Sequence, residues 1–268
     1  MAEHALQLNP RSGPAVHARA HAEHGHGTGP ACTAFIDTWL AAGPHAVQRR
    51  HLQWHAALQS IAAGDFADAR RRADTELHHG DVGMRPATNW RLLLAGQAPA
   101  RTAELDHIHR LLAEPGGWAE VFHTFQLALG LAAASDTDAL HTLARRAAGD
   151  ARPDYAEVLA PVALALAHIT TGSARAAVDL LTALGDPSER IGGVRVEREI
   201  IQDTLARVLM DAGRPSGRPT CSTTAPRRAV ITPTKTSCSP RVRPRPPAPG
   251  ERFTEVSSGA VTHRRRRV

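Results

Sequence analysis

The chain has 268 residues, of which 42% are hydrophobic and 4% aromatic, and its formal net charge is +6. This length suffices for one large domain or for a helical array with a continuous core. The chain has only three cysteines, an odd number without regular spacing, which argues against a secreted domain held together by disulfide bonds. The N-terminal residues show no signal-peptide pattern, and no window approaches the roughly 20 apolar residues of a membrane span. These features predict a cytoplasmic protein that does not associate with membranes.

The charge is divided unevenly between two parts of the chain. Residues 215–268 contain 12 Lys or Arg and 2 acidic residues, whereas residues 1–214 contain 20 basic and 24 acidic residues. The net charges are therefore +10 and −4. We expect a folded, mildly acidic domain over 1–214 and a basic tail, rich in Pro, Arg, Ser and Thr, over 215–268.

The predicted helices follow one another from the N-terminus with short breaks between them. Strand-forming runs of Val, Ile, Thr and Tyr are missing before residue 214, and alanine is abundant, so we expect an all-α domain. Apolar residues at helical spacing predict eleven helices, at about 14–24, 30–40, 44–63, 66–79, 88–95, 100–113, 118–133, 136–147, 155–170, 174–184 and 197–211. Asp136 and Asp154 are expected to cap two of them.

Six turns recur at nearly even spacing, which predicts a repeat architecture. They fall at Gly25, Gly64, Gly96, Ala134, Gly172 and Gly213, with gaps of 39, 32, 38, 38 and 41 residues. Alanines lie seven residues before four turns (Ala18, Ala57, Ala165, Ala206) and five residues after three (Ala69, Ala139, Ala177). A period of roughly 35–40 residues built from two helices is typical of an α-solenoid, an α-α superhelix of stacked hairpins.

One segment resembles the turn between the helices of a tetratricopeptide repeat, Gly64-Asp65-Phe66-Ala67-Asp68-Ala69. Other elements resemble bacterial members of the tetratricopeptide repeat protein 38 family: residues 8–12 (LNPRS), 16–21 (VHARAH), 51–58 (HLQWHAAL), and 191–193 (IGG) leading to 197–199 (ERE). The resemblance covers about residues 1–214. It implies a tetratricopeptide-like solenoid without catalytic chemistry. Residues 3–8 are predicted to form the second helix of a pair that lacks its first helix, so we expect the sequence to begin inside the repeat array.

Histidines are the residues that most suggest metal chemistry, and the chain has 16. His51 and His55 share one helical face, and so do His17 and His21, a spacing that can supply two imidazoles to a metal. The stripe of His51 and His55 also contains Trp54, and Leu52 stands where a metalloprotease would need glutamate. We therefore interpret His51 and His55 as hydrogen-bonding residues at a packing seam, and His17 and His21 as part of a partly exposed helix end. No metal, cofactor or catalytic residue is assigned. A metal- or ligand-dependent enzyme using His51 and His55 is the alternative.

Two glycines at 192 and 193 precede Arg195, Arg198 and Glu199. Free backbone N–H groups could bind an anion there, but we favour a structural loop with an Arg–Glu pair. The candidate seam or concave-face residues are thus His17, His21, His51, Trp54, His55, Arg195, Arg198 and Glu199.

The basic tail is predicted to be disordered, since it holds 9 prolines and 14 Ser or Thr. It could bind nucleic acid through its arginines. Its composition is also typical of a GC-rich gene translated out of frame, which would make the chain a truncated or frameshifted family member. The leading hypothesis for the whole chain is a non-enzymatic helical-repeat scaffold that binds a protein or peptide on its concave face.

Overall fold

A computed structural model describes residues 1–27, 29–43, 45–77, 83–99, 105–114, 118 and 120–213. These residues are mostly helical and contain no β-strand, which confirms the all-α prediction. They all belong to the first of two compact units, residues 1–218. The predicted tail, 215–268, lies outside the described residues, and so do residues 115–117, between the helices predicted at 100–113 and 118–133.

Twelve α-helices occur in the described part of the chain. They are α1 (Ala2–Leu8), α2 (Gly13–His26), α3 (Gly29–Ala42), α4 (Arg49–Ala62), α5 (Phe66–Thr75), α6 (Met84–Leu94), α7 (Leu105–Ala113), α8 (Val121–Ala133), α9 (Thr137–Ala148), α10 (Ala160–Thr170), α11 (Ala174–Leu184) and α12 (Arg195–Ala212). A π-helical turn, Asp154–Leu159, leads into α10, and a 3₁₀ turn, Asp186–Ile191, follows α11.

Neighbouring helices pack as hairpins, α3 on α4, α4 on α5, α9 on α10 and α10 on α11. The even-numbered helices also pack side by side, in the order α2, α4, α6, α8, α10. The result is a row of even-numbered helices, backed by the odd-numbered ones. Helix α12 packs on α11 and returns to α6.

The structure places turns at or near the predicted positions, with one exception. Gly64, Gly96 and Gly172 adopt left-handed φ angles of +78°, +73° and +75° after their helices, a conformation that glycine adopts without the steric cost of a Cβ. The sequence predicts a turn at Gly25, but this residue lies inside α2, which ends at His26 and is followed by Gly27 with φ +70°. The prediction was wrong because Gly27, two residues later, supplies the left-handed conformation that stops the helix.

Several of the alanines that flank these turns are buried, and their small side chains allow close helix packing. Ala57, Ala69, Ala165 and Ala177 are fully buried. Ala18 and Ala206 are exposed instead.

Two predicted helix starts are also corrected. Helix α4 begins at Arg49 rather than at residue 44, because residues 45–48 form a turn in which Arg49 N–H bonds to the Ala46 carbonyl. Asp154 does not cap a regular helix but opens the π-helical turn. Pro161, near the start of α10, lacks a backbone N–H, and the wider turn before it accommodates the missing hydrogen bond. Asp136 does cap α9, accepting from Ala139 N–H at 3.1 Å.

The buried apolar residues fall into two clusters. A small one joins α2, α3 and α4, and consists of Val16, Ala20, Cys32, Ile36, Leu40, Leu52 and Ala56. A larger one begins at Trp54 and Leu58 on α4 and extends through the later helices as far as Val208. Helix α4 therefore contributes to both cores, and α2 only to the small one.

Polar contacts fix α12 across α6. Trp90 Nε1–H donates to Thr204 Oγ1 at 2.9 Å, and Arg207 Nη1 donates to the Leu94 carbonyl at 3.0 Å. Both sites are buried or half-buried, so each bond replaces lost contact with water. Among the described helices, none is long and apolar enough to cross a bilayer.

Candidate metal centre

The first half of the centre lies on α2. Ser12 caps this helix, its Oγ accepting from Ala15 N–H at 3.3 Å, and Pro14 occupies the first turn. Val16 and Ala20 are fully buried and hold one side of α2 against its neighbours. His17 directly follows Val16, and His21 directly follows Ala20. The two histidines are four residues apart, about one helical turn, so their side chains lie on the same face of α2.

The second half lies on α4, which is buried along most of its length. Residues 52–60 are all buried, and His55 is 1% exposed. His51 and His55 are one turn apart, and the Trp54 ring centroid lies 5.5 Å from that of each. Trp54 therefore forms an apolar wall beside the two imidazoles.

The four imidazoles converge through the same ring atom. Nε2 of His17 lies 2.8 Å from that of His21, 2.8 Å from that of His51 and 3.1 Å from that of His55. Nε2 of His51 lies 3.1 Å from that of His55. All four residues offer nitrogen atoms that lie within 4.8 Å of one another.

Hydrogen bonds alone do not account for these contacts. An imidazole Nε2 either carries one proton or presents one lone pair, so it takes part in a single strong hydrogen bond. Nε2 of His17 has three nitrogen neighbours at hydrogen-bond distance. At most one of the three contacts can be a hydrogen bond, whichever tautomers are chosen, and the others bring lone pairs or protons together.

Burial keeps the four side chains neutral at pH 7. Desolvation lowers the pKa of His17, and lowers that of His21 to about 4, with the charge of His17 adding to the shift at His21. Desolvation, followed by the neighbouring histidines, lowers the pKa of His51 to about 4 and that of His55 to about 2. Neutral imidazoles have the free lone pairs that a metal ion requires.

The arrangement fits a tetrahedral transition-metal ion. Zn–N bonds of about 2.0–2.1 Å place the nitrogens of a tetrahedron roughly 3.3 Å apart. The contacts of 2.8–3.1 Å are slightly shorter, and a small rotation of the rings would make room for the ion. All four ligands are imidazoles, which suit Zn²⁺, Cu²⁺ and Ni²⁺ rather than Mg²⁺ or Ca²⁺.

The other predicted site residues divide between the centre and α12. Trp54 belongs to the wall of the centre. Arg195 and Glu199 form an ion pair at 3.0 Å on α12, and Arg198 bonds to the Gly193 carbonyl. The Glu197 carboxylate accepts a hydrogen bond from Val194 N–H at 2.7 Å, so a side chain from the first turn of α12 caps the start of this helix.

Sequence reasoning missed a contact that leads from α2 to α12. His24 lies 3.3 Å from the Glu199 carboxylate, although 175 residues separate them. The signal available was only that His24 follows His21 by three residues and so lies near the same face of α2.

Comparisons with known proteins give no relative from which a role could be transferred. No protein-family model, no curated protein and no solved structure matches the chain. The geometry of the described residues therefore carries the functional argument.

Proposed function

We propose that this protein binds one divalent transition-metal ion, Zn²⁺ in the first place, through Nε2 of His17, His21, His51 and His55. The observation that carries the proposal is the contact of one His17 nitrogen with three other imidazole nitrogens. A shared cation satisfies four converging lone pairs at once, which protons on the rings cannot do. This proposal replaces our preference from sequence for hydrogen-bonding histidines at a seam.

The ion has a structural role in this proposal. Four protein ligands fill a tetrahedral shell, as in structural zinc sites, whereas catalytic zinc sites keep a position open for water or substrate. The ligands come in two pairs, one from α2 and one from α4. Because α2 contributes only to the small apolar cluster, the ion would add a strong link between the first helices and the rest of the array.

Metal analysis of the purified full-length chain tests the proposal. We expect about one equivalent of zinc to survive dialysis, and Co²⁺ to give the intense visible absorption of tetrahedral cobalt. His17→Ala removes the nitrogen with the most contacts and should abolish both signals. His26→Ala is the matched control, since His26 ends the same helix, is exposed and lies outside the cluster.

Two results would overturn the metal site. One is a wild-type chain that takes up no stoichiometric zinc, cobalt, nickel or copper at neutral pH. The other is a His17→Ala variant that binds as much metal as the His26→Ala control.

Binding of a protein or peptide by a tetratricopeptide-like array is the second candidate. The hairpin packing of consecutive helices and the row of even-numbered helices favour it, because such arrays present extended surfaces to partners. Leu209 and Met210 on α12 are 50% and 57% exposed, and adjacent exposed apolar side chains are typical of contact sites.

Affinity capture with the full-length chain, followed by identification of the bound proteins, tests this candidate. A specific partner should be retained by the wild type and lost by a Leu209→Asp/Met210→Asp variant that keeps its helical circular dichroism. Equal capture by both chains would remove this surface from consideration. Nucleic-acid binding through the tail stays a prediction, since 215–268 lie outside the described residues.

A further inference from the structure

Helices α2 and α4 pass the four-histidine centre in the same direction. His17 lies beside His51, with 4.5 Å between their ring centroids. His21 lies beside His55, with 4.4 Å between their ring centroids. The histidines therefore pair in chain order, and residues one turn before or after the centre on α2 lie near their counterparts on α4.

The side of the centre that faces the start of both helices is closely packed. Gly13 on α2 and Gln48, just before α4, stand about one turn ahead of the histidines. A Cβ added to Gly13 would lie 2.7 Å from Gln48 Oε1 and 3.8 Å from the Trp39 ring. Gly13 and Gln48 therefore pack against each other and leave no open passage to the centre on this side.

The opposite side of the centre leads to a cavity of about 470 Å³. His24 follows His21 by three residues and lies about 4.5 Å further along the axis of α2. Leu58 has the same position relative to His55 on α4. Both His24 and Leu58 line the cavity, and so does Ala62, the last residue of α4. The cavity thus begins one turn beyond the centre, at helix ends whose partial negative charge favours a cation.

His24 and Glu199 place two metal-binding atoms on the wall of this cavity. His24 Nε2 lies 3.3 Å from Glu199 Oε2, and both residues line the cavity. Bonds of about 2.0–2.2 Å to Zn²⁺ place two of its tetrahedral ligands roughly 3.3–3.5 Å apart, so one ion fits between these atoms after a small shift. The two side chains are 22% and 30% exposed, whereas His55 in the centre is 1% exposed.

The charged neighbours of this pair do not occupy the oxygen that faces His24. Arg195 pairs with the other oxygen of Glu199, and its side chain is 90% exposed, so this contact is weak. Arg91 and Arg207 also line the cavity, but each donates to a backbone carbonyl. An arriving cation can therefore bind to His24 and Glu199 together.

We propose that His24 and Glu199 form a loading site, which passes the metal ion from the cavity to the four histidines. This inference rests on the proposed metal centre. The hydrated ion exchanges two of its waters for His24 Nε2 and Glu199 Oε2, while the neutral imidazole of His24 carries its proton on Nδ1. His21 Nε2, one turn away on the same helix, then replaces His24. The other three histidines displace Glu199 and the remaining waters, which return to solvent.

A loading site changes the rate of metal exchange and leaves the affinity unchanged. Uptake and release pass over the same barrier, so a residue that lowers this barrier accelerates both by the same factor. A residue that only supports α2 would instead change the release rate, and with it the Kd. The two roles are therefore separated by measuring both rates.

Stopped-flow measurement of Co²⁺ uptake by the metal-free full-length chain tests the proposal, with the visible absorption of tetrahedral cobalt as the signal. His24→Ala should slow uptake, and release into excess chelator, by a similar factor of at least roughly five. Its Kd for cobalt should stay within about twofold of the wild type, and Glu199→Gln should behave in the same way. His26→Ala and Glu189→Gln are the matched controls, at exposed positions outside the cavity, and should exchange cobalt like the wild type.

Three results would overturn the loading site. Wild-type rates in either His24→Ala or Glu199→Gln would show that the ion enters by another route. Faster release with unchanged uptake would show that these residues only hold α2 in place. A wild-type chain that binds no cobalt would overturn the metal centre itself, which distinguishes that failure from the first two.

Discussion

Nε2 of His17 on α2 lies 3.1 Å from Nε2 of His55 on α4, across 38 residues of sequence. His55 is the most buried of the four clustered histidines, and His17 has the most nitrogen neighbours. Their contact joins the small apolar cluster of the first helices to the helix that also enters the main core. The stability of this junction should therefore depend on metal and on pH.

Metal removal should destabilise the protein. A ligand that binds only the folded state stabilises it by about 2.7 kcal/mol at 100 times its Kd. For a domain of this size we expect Zn²⁺ to raise Tm by roughly 5–10 °C over the chelated protein, measured by calorimetry. His55→Ala should lose this response, and His26→Ala should keep it. An identical rise in Tm for His55→Ala would contradict the four-ligand site.

Acid should destabilise the metal-free protein well before its carboxylates titrate. Burial lowers the pKa of His21 and His51 to about 4 and that of His55 to about 2, whereas the unfolded chain protonates histidines near pH 6.5. Below pH 6.5 the unfolded state therefore binds more protons, so stability is present above this pH and is lost as the pH falls.

The nearly fully buried His55 contributes up to about 1.4 kcal/mol per pH unit in the range from about 6.5 to 4. Urea unfolding of the chelated protein at several pH values measures the slope. The His55→Gln variant should show a shallower dependence. A wild-type stability that does not change between pH 7 and pH 5 would refute the neutral buried cluster.

Arg72 should be the most sensitive ion-paired residue of the first helices. It is 2% exposed on α5, forms a bidentate pair with Asp37 of α3 at 2.8 and 2.6 Å, and also contacts Asp68 and Gln53. Arg72→Ala would remove several charge-assisted hydrogen bonds at once. Because Asp37 and Asp68 are 46% and 20% exposed, water can solvate the carboxylates that are left, so we expect the free energy of unfolding to fall by about 2–3 kcal/mol.

Arg71 is the matched control for this prediction. It contacts the same Asp68 but is 53% exposed, so Arg71→Ala should cost less than about 1 kcal/mol. Urea unfolding of both variants measures the difference. Equal losses would show that the buried network around Arg72 does not stabilise the junction of α3, α4 and α5.

Gly193 should not tolerate a side chain. Its φ is +72°, and an added Cβ would lie 2.5 Å from Phe122 Cε2 and 2.6 Å from Glu197 Oε2. Gly193→Ala should lower the free energy of unfolding by about 3 kcal/mol, combining left-handed strain with overpacking. Gly96 has a similar φ of +73° in open space, so Gly96→Ala should cost only about 1 kcal/mol. Similar losses in thermal or urea unfolding would argue against the contact with Phe122.

Local patterns predicted the helices and most of the turns. Alanine abundance and apolar spacing predicted an all-α chain, and Gly64, Gly96 and Gly172 stand where left-handed turns follow helices. The predicted helix boundaries differ from the observed ones where two local signals compete, as at Gly25 and Gly27 or at residues 45–48.

The sequence by itself determined the local geometry, including two pairs of histidines, each on one helical face, because helix periodicity depends only on neighbouring residues. Tertiary packing alone decided that the two pairs meet, since the angle and register between α2 and α4 depend on apolar side chains such as Val16, Ile36 and Leu52. It also decided that α12 returns to α6, where Arg91 donates to the Val196 carbonyl. Such contacts join residues more than 100 positions apart, and no local periodicity specifies them.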